Sequence, residues 1–179
     1  DNIFVIGRMC RWSPQKDFLT LFKSLNLLKQ KCKNKFILIL AGKNLNIQNL
    51  KLIKMIHQNN LYENVIFLGE IENTNEFYNL IDVNLSTSKY GEGFPNVLAE
   101  SMLTNTYCVS TNVGDSKFIL DKFGYIFDIG DYQALTNQLI KLASKKKFRP
   151  LNDSMRKHII DNFSVNIMLK KYNNIWRNY

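Results

Sequence analysis

Short apolar runs alternate with longer helical stretches along this 179-residue chain, and no hairpin turn joins one run to the next. Strands separated by helices need crossover connections, which predicts an α/β fold: an open, doubly wound parallel sheet covered by helices on both faces. A hydrophobic fraction of 45%, with 12% aromatics, supplies the core for one domain and rules out a disordered basic tail.

The first strand is read over Asn2–Met9 (NIFVIGRM) and the second over Lys35–Gly42 (KFILILAG), continuous apolar runs of the kind buried on two faces. Between them Phe18, Leu21, Phe22, Leu25 and Leu28 recur at helical spacing. A helix over Asn46–Asn59, a strand over Asn64–Leu68 and a short helix near Asn75–Leu80 repeat the cycle. A strand over Asp82–Ser86, a helix over Phe94–Leu103 and a strand over Tyr107–Ser110 follow, then a short strand at Gly124–Phe127 and a helix over Tyr132–Ser144. After a joint marked by Lys145-Lys146-Lys147 and Pro150, two further helices are expected over Asp153–Asn162 and Val165–Tyr179. The plan is one domain over 1–179, with a sheet core over 1–150 and helices over 151–179. The opening Asp1-Asn2-Ile3-Phe4 has no Met, leader or cleavage site and is read as a start in mid-protein.

Lys and Arg number 24 against 15 Asp and Glu, a formal charge of +9. Most of these cations are lysines spread along helices, the usual pattern of a solvated surface. The excess favours an anionic partner: nucleotide phosphates, nucleic acid or an acidic membrane leaflet. No apolar run approaches the roughly 20 residues of a membrane-spanning helix. Cys10, Cys32 and Cys108 are odd in number, widely spaced and not arranged as metal ligands, which fits a reducing cytoplasmic compartment.

Open α/β sheets bind ligands beyond the carboxyl ends of their strands. The loop after Asp82–Ser86 is the informative one there, running Ser86-Thr87-Ser88-Lys89-Tyr90-Gly91-Glu92-Gly93-Phe94-Pro95-Asn96. Gly91 and Gly93 bracket Glu92 and let backbone approach a ligand closely. Pro95 suits the first turn of the following helix, whose free amides and dipole favour phosphate. Glu92 precedes that helix and Glu100 lies inside it, so both can face one ligand. Carboxylates accept hydrogen bonds from hydroxyls, and phosphate plus hydroxyl recognition is the chemistry of a sugar nucleotide. The plainer alternative is a loop-to-helix junction with one dipole-stabilised Glu and one solvated Glu.

The run EGFPNVLAESMLTNTYCVSTNVGDSKFIL resembles the signature of glycosyltransferase family 4, the retaining GT-B enzymes. The matching features are Glu92 and Glu100 eight residues apart, the small-residue helix at Ala99–Met102, the strand Tyr107–Ser110 and the turn Val113-Gly114-Asp115. The resemblance extends to the opening strand, to Phe67-Leu68-Gly69 and to the closing Asn162-Phe163-Ser164. It implies the Rossmann-like C-terminal half of a GT-B fold, with the N-terminal acceptor domain absent from this chain. It further implies that Glu100 binds ribose hydroxyls, that Glu92 contacts the donor sugar, and that the amides of Gly93, Phe94, Pro95, Asn96 and Val97 hold sugar and diphosphate. The family's diphosphate-gripping Arg and Lys, five residues apart, fit Arg11 and Lys16; Arg8 plus five is Ser13, so Arg8 is read as a strand-end residue. Arg offers a fork to phosphate oxygens and Lys a mobile point charge, together stabilising the leaving diphosphate without a metal. No Asp-x-Asp metal motif occurs, and no cofactor is expected beyond the donor substrate itself. Ile71, after Leu68-Gly69-Glu70, sits where the family places the nucleotide base.

His57 and His158 lack a nucleophile motif nearby, and the Lys145–Lys147 run reads as a solvated helix end. The last helix carries Val165, Leu169, Tyr172, Ile175, Trp176 and Tyr179, read as a packing stripe, with docking on the missing half or on a membrane as the runner-up. The resemblance implies a transferase moving a hexose or N-acetylhexosamine from a nucleoside diphosphate, with UDP favoured, to a glycan or lipid-linked acceptor. The Gly-Phe-Pro-Asn variant after Glu92 is similar to enzymes of bacterial surface-polysaccharide assembly, which places the expected protein in the cytoplasm, at the inner membrane face. Sugar-nucleotide epimerases and phosphorylases of the same fold stay open as alternatives, as does a non-catalytic nucleotide-sugar-binding module. Nucleic-acid binding rests on charge alone and finds no recognised motif.

Overall fold

The computed structural model describes residues 3–145 and 153–177. Six parallel strands form one sheet: β1 Phe4–Met9, β2 Phe36–Ala41, β3 Val65–Gly69, β4 Val83–Ser86, β5 Tyr107–Thr111 and β6 Tyr125–Phe127. Their spatial order is β3-β2-β1-β4-β5-β6, so the winding reverses between β1 and β4. A crevice opens outside the strand ends at such a reversal, and the loops leaving β1 and β4 form its two walls.

Helices α1 Phe18–Lys31, α2 Leu50–Gln58 and α6 Tyr132–Ala143 cover one face. Phe4 and Ile6 of β1, and Leu38 and Leu40 of β2, point into it, meeting Leu21, Phe22, Leu25 and Leu28 of α1. Helices α3 Thr74–Leu80, α4 Asn96–Leu103, α5 Ser116–Leu120 and α7 Ser154–Phe163 cover the other face. There Gly7 lets α3 lie close to β1, because a Cβ at Gly7 would come within 2.3 Å of the Ile81 side chain.

Caps set the helix starts. Asp17 accepts from the Thr20 amide at 3.3 Å and its hydroxyl at 2.6 Å, opening α1. Helix α2 begins at Leu50, later than the expected Asn46. Asn46 instead accepts from the Gln48 amide at 3.0 Å in a local turn, and Asn49 caps by accepting from Leu52. Asn side chains compete with helical bonding in this way. Pro95 is the N-cap of α4 and not a first-turn residue: Leu98 donates to its carbonyl at 3.0 Å. The five-residue α5 escaped the periodicity reading because it is shorter than the pattern needed to see it.

The tail departs from expectation in one respect. In α8, Val165–Arg177, no residue is buried, and Val165, Leu169, Tyr172, Ile175 and Trp176 are exposed. Among the described residues the stripe is left exposed and is not part of the core of this domain. Tyr179, Lys146 and Lys147 of the basic run, and Pro150 lie outside the described residues. No described helix is long and apolar enough to cross a membrane.

Candidate active site at the sheet reversal

The loop leaving β1 ends in a 3₁₀ turn, Pro14–Lys16, directly opposite the loop leaving β4. Lys16 Nζ reaches Glu92 Oε1 at 2.5 Å, and Ser88 Oγ donates to the same oxygen at 2.6 Å. Burial pushes the Glu92 carboxyl up. The hydrogen bonds from Lys16 and Ser88, with the charges of Lys16 and Arg8, outweigh it and hold the group below its ordinary value of 4.5. Glu92 is therefore a carboxylate at neutral pH.

Lys16 is held by its own backbone. The buried Arg8 side chain donates from Nη1 to the Leu85 carbonyl at 3.1 Å and from Nη2 to the Lys16 carbonyl at 2.6 Å. Its guanidinium also lies 5.5 Å from the Phe18 ring centroid. Thr87 Oγ1 stands at 2.9 Å from the Lys16 carbonyl and 3.0 Å from that of Asp17. Further straps join the two walls: Lys89 Nζ meets Asp17 Oδ1 at 3.3 Å, the Lys89 amide donates to Gln15 O at 2.8 Å, and Gln15 Nε2 donates to Gly91 O at 3.0 Å. Arg8 thus braces the site from beneath, as a strand-end residue.

Behind Glu92 the turn at Gly114-Asp115 serves as a backstop. Gly114 adopts φ +56°, a Cβ there would fall 2.2 Å from the Glu92 carbonyl oxygen, and the Asp115 amide donates to Gly93 O at 2.9 Å. Thr111 Oγ1 donates to the Ser88 carbonyl at 2.6 Å. The loop conformation is therefore specified from three sides.

At the other end of the crevice, Tyr78 of α3 donates from its hydroxyl to Glu100 Oε2 at 3.0 Å. Desolvation, then the Glu100 charge, push the Tyr78 hydroxyl far above its ordinary range, so it stays a donor. Ile71 is partly buried against the cluster of Phe77, Tyr78 and Ile81, on the wall shared with Tyr78.

The structure thus brings Lys16 and Glu92 into contact and puts Glu100 and Ile71 beside Tyr78. Arg11 lies beyond the end of β1 and is exposed. Gly93, Phe94 and Asn96 are exposed and Val97 half-buried, and the Phe94 ring packs 5.4 Å from that of Phe163. Asn96 and Val97 open α4, where amides have no intrahelical acceptor. Pro95 is buried and has no N–H, so the expectation that its amide holds the ligand is corrected: it shapes the loop and caps α4. The sequence reading missed Ser88, Tyr78 and the bracing role of Arg8. An arginine inside an apolar strand run was the one available signal. Outside the crevice, His57 stacks on Tyr62 with centroids 4.5 Å apart, and His158 contacts the Ile119 carbonyl at 3.1 Å.

A six-stranded parallel sheet wound in this order, with helices on both faces, matches the C-terminal domains of GT-B proteins. Anabaena HepE, crystallised with UDP and glucose, shares the fold at a TM-score of 0.84 and 22% identity, over 99% of this chain and 49% of that one. The profile of the family described as Glycosyl transferases group 1 matches residues 1–145, and the chain belongs to that family. The O-antigen biosynthesis glycosyltransferase WclY of Escherichia coli is 28% identical over 164 residues, 89% of this chain and 44% of that protein. The N-acetyl-alpha-D-glucosaminyl L-malate synthase of Bacillus anthracis is 27% identical over 130 residues, 71% of this chain and 33% of that protein. The chain therefore spans between a third and a half of these curated relatives.

Proposed function

We propose that this chain is the donor-binding domain of a retaining family 4 glycosyltransferase. It would take a hexose or N-acetylhexosamine from a nucleoside diphosphate, UDP first among them, to a glycan or lipid-linked acceptor held by an N-terminal domain. The observation that carries this reading is the contact of Lys16 with Glu92 where the sheet winding reverses. A cation and a carboxylate facing one crevice suit a ligand with a diphosphate and a sugar hydroxyl side by side. UDP is the first nucleotide to test because HepE was crystallised with UDP. The glycan acceptor follows the names of the relatives, among them the capsular polysaccharide biosynthesis glycosyltransferase CapM of Staphylococcus aureus. Work at the inner membrane face belongs to the same proposal.

In the proposed reaction the anomeric carbon–oxygen bond to the diphosphate breaks and a bond to the acceptor oxygen forms on the same face. The acceptor proton passes to the leaving phosphate. Lys16 and Arg11 neutralise charge growing on that phosphate, with the first-turn amides of Asn96 and Val97 free of intrahelical acceptors to join them. Glu92 fixes the sugar through a hydroxyl, and Glu100 holds the ribose. Because Lys16 already pairs with Glu92, it reaches the diphosphate by sharing that pair, without being drawn from solvent.

Ligand-observed NMR with UDP, GDP, ADP and CMP tests the binding step on this chain, and turnover of the full-length protein tests the chemistry. One diphosphate should bind, Glu100→Ala should lose it, and Glu92→Gln in the full-length protein should abolish sugar transfer. Full transfer activity in the Glu92→Gln protein would sink the role given to Glu92.

A further inference from the structure

We propose that Tyr78 is a positioning residue that makes this domain selective for ribonucleotides: its hydroxyl holds Oε2 of Glu100 and so presents Oε1 to the ribose hydroxyls. The inference rests on the ribose role given to Glu100 above and adds a residue outside the α4 motif.

The geometry argues for a tether more than for incidental packing. Tyr78 is only 1% exposed, with its ring edge-to-face with Phe77 at 5.3 Å, and its carbonyl accepts from Thr106 Oγ1 at 2.7 Å. Both the ring and the backbone that carry the hydroxyl are therefore immobilised. The hydroxyl reaches Glu100 Oε2 at 3.0 Å and the Met9 thioether at 3.6 Å. Sulfur is the weaker acceptor, so the proton lies on the carboxylate side. Burial keeps that hydroxyl protonated, which makes it a permanent donor.

Glu100 is only half-buried, and an untethered glutamate would spread over several rotamers. Fixing one oxygen orders the other before the ligand arrives, removing an ordering cost from binding. A ligand without ribose hydroxyls gains nothing from that order. Tyr78 should therefore act on the difference between ribo and deoxy ligands and leave the rest of the affinity alone.

The test measures affinities of UDP, GDP and ADP, each beside its 2′,3′-dideoxy analogue, by calorimetry or NMR titration. Wild-type chain should prefer the ribo form of the diphosphate it binds, and Tyr78→Phe should cut that preference by about tenfold while dideoxy affinity stays unchanged. The ring remains in Tyr78→Phe, and Met9→Leu, which alters packing beside the hydroxyl without removing the donor, should keep the full preference. If Glu100→Ala leaves the preference intact, or the wild type shows none, the ribose reading fails and the proposal with it. If Glu100→Ala removes the preference but Tyr78→Phe keeps it, or weakens ribo and dideoxy forms equally, the role given to Tyr78 alone is overturned.

Discussion

Replacing Gly114 by alanine tests whether the Glu92 loop is specified by the turn behind it. Gly114 sits at φ +56°, and an added Cβ would lie 2.2 Å from the Glu92 carbonyl oxygen and 2.5 Å from that of Gly93. Both atoms are backbone, so relief requires the loop to retreat by about 0.8 Å to reach a 3.0 Å contact. That movement strains the bond from the Asp115 amide to Gly93 O. The left-handed conformation alone costs alanine about 1–2 kcal/mol. Crowding packed backbone adds about 1–3 kcal/mol. Gly130→Ala is the control, because Gly130 is also left-handed at φ +79° but has nothing within 4 Å of the added Cβ. Urea unfolding should therefore place Gly114→Ala about 1–3 kcal/mol below Gly130→Ala. The melting temperatures should differ by about 2–12 °C. Nucleotide-sugar affinity, measured where both variants are folded, should fall only in Gly114→Ala. Equal midpoints for the two variants would refute the steric argument, whatever the ligand proves to be.

The acid limb of stability should report the Glu92 pair. Burial raises the Glu92 carboxyl, but Lys16 and Ser88 hold it below its ordinary 4.5, so its contribution is complete at neutral pH and above 4.5 and is lost as pH falls through the depressed native value. Melting curves from pH 7 to pH 3 should fall less steeply below pH 4.5 in Glu92→Gln than in wild type; parallel curves would remove the pair from the account. Arg8 of β1 and Arg11 of the loop that follows it should separate by assay. Arg8→Met removes a buried side chain that serves the Leu85 and Lys16 carbonyls, and should cost about 2–4 kcal/mol in thermal or urea unfolding. Arg11→Ala should stay within about 0.5 kcal/mol, yet weaken binding of the diphosphate about tenfold. Reversed outcomes would exchange the roles given to Arg8 and Arg11.

Much of the fold was legible because parallel strands buried on both faces leave an unmistakable trace. The run Phe36–Ala41 is apolar throughout, and Phe18, Leu21, Leu25 and Leu28 mark one helical face. What escaped the reading was set by local polar competition or by tertiary company. Asn46 and Asn49 traded helical bonds for a turn, which delayed α2 to Leu50. The apolar stripe of α8 had the spacing of a core helix, yet spacing says only that a face is apolar and not that this domain covers it.

The site divides along the same line. Glu92 and Glu100 could be picked out because their residue type and spacing are visible along the chain, and Lys16 because its distance from Arg11 fits the family the sequence resembles. Tyr78 and Arg8 act across elements that only folding brings together, α3 to α4 and β1 to the 3₁₀ turn, and Ser88 meets Glu92 through the turn of the loop they share. Arg8 and Arg11 show why type alone is insufficient. Arg8 lies within the apolar run of β1 and Arg11 follows it, three residues on. In a strand, successive side chains alternate between faces, and position 8 falls on the face that carries Phe4 and Ile6, under Phe18. There a guanidinium must find internal acceptors, and it finds the carbonyls of Leu85 and Lys16, one from each wall of the crevice. Arg11 lies beyond the last paired residue of β1, where no such demand applies and its charge is left for solvent or a ligand. Burial thus commits one arginine to joining the walls, and the same geometry leaves the other able to meet an anion between them.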